Sequence, residues 1–382
     1  MFRSFHARGV ALAVTFLLTV AAAKERPLTR IRPPLADFKQ SLARVAFGPD
    51  GRLYAAYRTK AGRGETEAFH VVAIDPSTGR IEGDRSYPAP KTKLPRLVDG
   101  LMLSPDGTML VYAELHPPVF VATFRAPTLD PVSASATVPL GTEVLFPHTS
   151  GITNSAVVLS AERDRVTRDG VRIISLELDD VGKVTQDFVF PFGQDGGNYA
   201  LDVPGGAIWL GGRTHTFYKR DLTSGKVLAQ IQPQRELHRL KVIGAGSVLG
   251  ATDLGDRGWL QLFDANGGEL AVADGDGCGF TYTSLSPDGR YGAAVCQRVG
   301  QADPDFGRTL SRQVVVFNAG TLRTVLVVPA SRMTLKERDP ESTWASFSAN
   351  PEPAVFHKGR QVFVAVPDFS NSILIYSVTV DR

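Results

Sequence analysis

From residue 43 onward, apolar residues come in short runs, and the runs come in pairs around a tight turn. The pattern reads ARVAFGPDGRLYAAY (43–57), LMLSPDGTMLVYAE (101–114) and SLSPDGRYGAAVC (284–296). Looser copies are GITNSAVVLSAE (151–162), LDVPGGAIWLGG (201–212), LKVIGAGSVLGATD (240–253) and FSANPEPAVFHKGRQVFVAV (347–366). Runs this short, bounded by Pro, Asp and Gly, predict antiparallel strand pairs. Pro-Asp-Gly has a mechanical reason: proline presets φ at the second turn position, and glycine accepts a positive φ.

A second signature follows most pairs: an apolar strand ending in Asp-x-x-x-Gly or a relative. It reads AIDPSTGRI (73–81), KRDLTSGKVL (219–228), LFDANGGEL (262–270) and VFNAGTLRTV (316–325), with LELDDVGKV (176–184) a weaker case. The Asp or Asn side chain can bond the backbone two residues on, and glycine takes left-handed geometry. Residues 115–140 lack the signature, which leaves one outer turn unplaced.

From Gly51 to Gly289 the hairpin advances five steps of about 48 residues. Seven such units fill roughly 44–380. Each is too small to bury a core alone, so the units must stack. Four short strands repeated seven times predict an all-β, seven-bladed β-propeller of four-stranded antiparallel blades. A pair of β-sandwiches is the alternative for a repetitive all-β chain. The near-constant period, with both signatures in fixed order, favours the propeller. The seventh unit offers strands at 345–349, at 354–357 continuing to 361–366, and at 372–380, but no outer fourth strand. RPLTRIRPPLA (26–36) is the expected supplier, because its prolines suit an edge. An N-terminal strand in the last blade would then close the ring and remove an exposed edge.

Ser104-Pro105-Asp106-Gly107 and Ser286-Pro287-Asp288-Gly289, paired with Asp75-Pro76-Ser77-Thr78-Gly79 and Asp221-Leu222-Thr223-Ser224-Gly225, resemble the WD40-like and YVTN-type propellers of secreted bacterial proteins. The resemblance covers about five of the seven units. There is no Trp-Asp dipeptide and no Gly-His, so the chain departs from true WD40 repeats. Such families include lactone hydrolases, amine-dehydrogenase-type subunits and non-catalytic binding proteins, so the resemblance implies blades rather than an activity.

Composition agrees. Hydrophobic residues are 43% and charged residues 21% of 382, enough for a sizeable core. The 37 glycines and 25 prolines exceed the usual ~12% share and disfavour long helices. The N-terminus stands apart from this pattern. Arg3 and Arg8 precede VALAVTFLLTVAAA, which ends at Ala21-Ala22-Ala23. That order is expected of a cleavable signal peptide over 1–23, leaving 24–382 as one propeller domain. An uncleaved anchor is the alternative. The stretch is short for a span of ~20 residues, and no second apolar run of that length follows. The formal charge of +3 falls to +1 without the two arginines, too balanced for a nucleic-acid partner. A monomer in the periplasm or outside the cell is expected.

Cys278 and Cys296 are the two cysteines. They lie ten residues before and eight after Asp288, so two strands folding back at that turn bring them nearly opposite. In an exported chain this predicts a disulfide; two buried free thiols are the alternative. No C-x-x-C or histidine pair suggests a metal, and no cofactor is predicted.

In a propeller, the inner strands begin and the second strands end on one face, opposite the Pro-Asp-Gly turns. Second strands there end near Arg58, Glu114, Glu162, Arg163, Arg213, Asp253, Arg298 and Asp368. Inner strands are entered near His148, Tyr199, His238, Tyr282 and Trp344. Mixed charges and rings at a channel mouth suit a polar ligand, or one with a sugar or ring to stack. The alternative is that charges end strands because strand ends reach water. Three stretches on this face read as long loops: 58–68, 162–170 and 297–312. The third carries Asp303, Asp305, Arg308 and Arg312. No G-x-S-x-G, Walker loop, H-E-x-x-H or G-x-G-x-x-G occurs. Asp274-Gly275-Asp276-Gly277 lacks the rest of a calcium loop and reads as turns. The expected function is an exported, non-catalytic propeller binding a protein, glycan or small molecule at the channel-mouth face. The alternative is a lactonase-like hydrolase or amine-dehydrogenase-type subunit with its site at the same mouth.

Overall fold

A computed structural model describes residues 26–34, 43–59, 68–88, 98–115, 119–135, 138, 144–163, 170–192, 198–211, 216–233, 235, 237, 239–243, 246–251, 258–275, 277–303, 307–335, 352–368 and 371–381. A short strand, β1 (Thr29–Ile31), comes first. Blade 1 holds β2 (Arg44–Phe47), β3 (Leu53–Thr59), β4 (Ala68–Ile74) and β5 (Ile81–Pro88). Blade 2 holds β6 (Gly100–Leu103), β7 (Met109–Glu114), β8 (Phe120–Arg125) and β9 (Asp130–Ser135). Blade 3 holds β10 (Val144–Ile152), β11 (Ala156–Arg163), β12 (Gly170–Glu177) and β13 (Val184–Pro191). Blade 4 holds β14 (Asn198–Asp202), β15 (Ala207–Gly211), β16 (Phe217–Asp221) and β17 (Val227–Ile231). Blade 5 holds β18 (Arg239–Ile243), β19 (Ser247–Ala251), β20 (Trp259–Phe263) and β21 (Glu269–Asp274). Blade 6 holds β22 (Gly279–Leu285), β23 (Tyr291–Asp303), β24 (Gly307–Asn318) and β25 (Thr324–Leu335). Blade 7 holds β26 (Ala354–Lys358), β27 (Gln361–Asp368) and β28 (Ser372–Thr379). Its fourth strand is β1, in the order β1-β28-β27-β26. The chain is therefore the seven-bladed propeller of four-stranded antiparallel blades that the repeats predict, closed by its N-terminal strand.

The second strands show why each blade needs neighbours. β3, β7 and β15 are buried at nearly every position, so both of their faces must be covered by apolar layers. Seven hydrophobic clusters do this, one at each junction between blades. The layer between blades 7 and 1, for example, joins Phe47 to Phe356 (ring centroids 5.5 Å apart) and includes Ile31 of the closure strand. Fully burying a Leu, Ile or Phe side chain stabilises by about 1.5–3 kcal/mol, so stacking, rather than any blade alone, holds the fold.

Both turn signatures do what their chemistry requires. Gly51, Gly107 and Gly289 have φ of 87°, 72° and 69° in the inner hairpins. Ser104 and Ser286 donate to Asp106 and Asp288 at 2.5 and 2.6 Å. In the outer turns, the amides of Gly79 and Gly225 donate to the carbonyls of Asp75 and Asp221. The unplaced turn of blade 2 is 126–129. There the Leu129 amide donates to the Arg125 carbonyl, and Leu129 itself takes the positive φ, 63°. Leu322 does the same in blade 6, at 56°. A left-handed leucine costs about 1–2 kcal/mol. Both side chains are buried in inter-blade layers, Leu129 fully, and that burial offsets the cost.

Two expectations need correction. The inner strand of blade 7 is β26, turning at Gly359 into β27; 354–366 is a hairpin, because Gly359 reverses the chain at φ 64°. The strand expected at 345–349 lies outside the described residues. The second correction is larger: 297–312 is not a loop. β23 runs to Asp303 and β24 starts at Gly307, with Arg298 opposite Ser311 and Val299 opposite Leu310. β25 continues alongside, with Met333 opposite Leu310. β22 stops pairing at Gln297, so these three strands project past the blade by about 20 Å at ~3.3 Å per residue. Of the other two expected loops, 60–67 and 164–169 lie outside the described residues.

The predicted disulfide is present. Cys278 and Cys296 are bonded across the β22–β23 pair, with Cα atoms 5.5 Å apart. Among the described residues, no helix is long and apolar enough to cross a membrane.

Candidate site at the channel mouth

The inner strands β2, β6, β10, β14, β18, β22 and β26 line the central channel. Their polar side chains decide what the channel can hold. A cavity of about 320 Å³ opens among Thr149 and Ser150 of β10, Tyr199 of β14, Lys241 of β18, Thr283 of β22 and Glu352 just before β26. Ala251, at the end of β19, also lines it. That places the cavity toward the face where second strands end, the face the sequence singled out.

One carboxylate organises the charge. Glu352 lies 3.7 Å from Arg44 Nη1 of blade 1 and 3.7 Å from Lys241 Nζ of blade 5. Arg44 Nε donates to the Val98 carbonyl at 2.9 Å, and Lys241 Nζ donates to the Thr283 carbonyl at 2.5 Å. Lys241 and Glu352 side chains are 40% and 32% exposed, so the pair stands in contact with water. A chain of hydroxyls lies beside it. Tyr199 Oη and Ser160 Oγ are 2.9 Å apart, and Ser160 contacts Ser150 in turn. Burial pushes the Tyr199 phenol well up, so it acts as a neutral hydrogen-bonding group at ordinary pH.

The rim residues expected from sequence fall into different situations. Arg58 and Glu114 come together at the junction of blades 1 and 2, as a buried, bidentate pair: Nε to Oε1 at 2.5 Å and Nη2 to Oε2 at 3.0 Å. Tyr112 donates to the same carboxylate. Burial opposes the Arg58 charge, but the Glu114 carboxylate outweighs it and raises the Arg58 pKa. Tyr112 is driven far up, first by burial and then by the Glu114 charge. On the other face of β3, in the layer toward blade 7, Tyr57 donates to the Pro34 carbonyl at 2.6 Å and stacks on His70.

Glu162 is buried at the end of β11, and Tyr199 reaches the cavity. Arg298 is exposed at the foot of the blade 6 projection, and Asp368 is half-buried at the end of β27. His148 and Tyr282 are placed by backbone only, on β10 and β22, as is Arg163 on β11. Arg213, His238, Asp253 and Trp344 lie outside the described residues. Among the described residues, no three His, Cys, Asp or Glu side chains come close enough to hold a metal ion.

Sequence reasoning missed Arg44, Lys241, Thr283 and Glu352. It looked at strand ends, whereas channel groups sit within inner strands or just ahead of them. The available signal was a cation inside an apolar run: Lys241 in LKVI and Arg44 in ARVAF.

No protein family matches the sequence, and neither does any curated protein. Solved structures do match. The chain is similar to the beta-propeller domain of Myceliophteria thermophila Cps50 (Swd1), with a TM-score of 0.58 and 13% identity over 93% of this chain and 99% of that one. It is also similar to a chain in the crystal structure of a mitotic checkpoint complex, with a TM-score of 0.54 and 11% identity over 100% and 99% of the two chains. The first of these is itself a β-propeller domain by its title. At these identities the likeness is one of fold.

Proposed function

We propose that this protein is an exported, non-catalytic propeller of the secreted bacterial type that binds a protein partner at its channel mouth. The observation carrying this reading is the half-exposed Lys241–Glu352 pair in a 320 Å³ cavity ringed by Thr149, Ser150, Tyr199 and Thr283. A cation, a carboxylate and several hydroxyls in a space of one or two side chains suit recognition of a polar group inserted from outside. The structural neighbours, one from a multi-protein complex by its title, make a protein the favoured partner. The blade 6 projection stands on the same face and extends the surface such a partner could meet. Export rests on the N-terminal segment and is supported by the disulfide, which persists in oxidising compartments.

Photo-crosslinking tests the site. A photoreactive residue at Thr283 or Thr149 should give a discrete adduct in the native host, whereas one at Asp106 on the opposite face should not. Equal adducts from both faces would sink the reading. Intact mass of the exported chain should show loss of residues 1–23; retention of Met1 would overturn the export part.

A further inference from the structure

Resting on the binding reading above, we infer that the group received by the channel mouth is an anion, the carboxylate of an acidic protein segment, and that Glu352 occupies its place until it arrives. Glu352 sits between two cations carried by different blades, Arg44 and Lys241, at 3.7 Å from each. Among the described residues, neither contact is within hydrogen-bond distance. Both cations instead direct hydrogen bonds to backbone carbonyls, of Val98 and Thr283. The carboxylate is thus held by charge rather than by directed bonds, unlike Glu114, which accepts two from Arg58. With Glu352 turned aside, Lys241 would present its positive charge beside the hydroxyls of Thr149, Ser150 and Thr283. All of these can donate to an oxyanion.

Glu352 then acts as a built-in competitor, and competition gives the proposal its test. Glutarate is titrated calorimetrically into the full chain at low ionic strength, into Glu352→Gln, and into Lys241→Met, each checked for a native melting curve. Glu352→Gln should bind glutarate about tenfold more tightly than wild type, and Lys241→Met about tenfold more weakly, each about 1.4 kcal/mol. Raising salt should weaken all three. Lys241→Arg keeps the charge and should keep most of the affinity. Unchanged or weaker binding by Glu352→Gln overturns the proposal.

Propane-1,3-diamine is the control of opposite charge. If it binds and glutarate does not, the mouth remains a site but the inserted group is cationic; the proposal falls and the binding reading stands. If neither probe binds and the crosslinks come from the opposite face, both fall. An acetylated tetraglutamate peptide, compared with tetraglutamine, identifies the source. Binding at least tenfold tighter than glutarate supports a protein segment. Equal affinity overturns that source in favour of a free small anion.

Discussion

Arg58–Glu114, between blades 1 and 2, and Lys241–Glu352, in the channel mouth, are built from the same chemistry and serve different ends. The first is sealed: its carboxylate is fully buried, two hydrogen bonds from Arg58 fix it, and Tyr112 adds a third. The second is open, with its partners 40% and 32% exposed to water and 3.7 Å apart. Desolvation makes a sealed pair expensive to break and unsuited to exchanging partners. An open pair contributes little to stability and can be exchanged for a ligand. A charge at a strand end is therefore not a sign of function in itself; its exposure and its hydrogen bonds decide.

The contrast can be broken at its strongest point first. Glu114→Ala removes the carboxylate to which the buried Arg58 guanidinium donates twice and should cost about 3–5 kcal/mol in urea unfolding. The double variant Arg58→Met/Glu114→Leu should recover most of that loss. A single-variant cost under about 1 kcal/mol would show that the pair is not sealed. Next in size is the covalent link in the blade that carries the projection. Replacing Cys278 and Cys296 by alanine opens a link across 18 residues and should cost about 3 kcal/mol. Lys241→Met should cost less than about 1 kcal/mol while weakening anion binding. A larger loss would make the channel pair structural and erase the contrast.

The smallest effects per group lie in the turns. Asp75, Asp106 and Asp221 sit below the usual carboxylate range through hydrogen bonds from Ser77, Ser104 and the Ser224 amide and hydroxyl respectively. Burial would raise Asp288, but hydrogen bonds from Ser286 and His357 outweigh it and lower it too. Carboxylates depressed in the folded state stabilise above their unfolded value of about 4, and that stability is lost as pH falls through the folded values. Urea midpoints should therefore be flat in these groups above about pH 5 and fall below about pH 4. Asp288→Asn should flatten that acid limb, and Lys241→Met should leave it unchanged.

The blades were legible because each depends on local, directional chemistry. Pro-Asp-Gly must turn, Asp-x-x-x-Gly must cap a strand, and both recur at one spacing. Leu129 and Leu322 show where such reading stops. They occupy a glycine's conformation because a neighbouring blade covers their side chains, and no local pattern announces a neighbour. The projection of blade 6 escaped for a related reason. The stretch RVGQADPDFGRTLSR is largely polar and lacks the alternation of a half-buried strand. The channel site was the least legible, since Arg44, Lys241 and Glu352 are 197 and 111 residues apart in the chain and meet only when the ring is complete.

Closure has a temporal side. Thr29 pairs with Ile375 and Ile31 with Ile373, so β1 waits for a strand made more than 340 residues after it. Joining ends so distant carries an entropy cost of about 5 kcal/mol by the (3/2)RT ln n rule. The layer around Phe47 and Phe356 buries Ile31 of β1 together with Ile373 and Ile375 of β28. Truncation before residue 373 would thus remove more than one strand. It would leave β1 without its partner and take Ile373 and Ile375 out of the layer that joins blades 7 and 1.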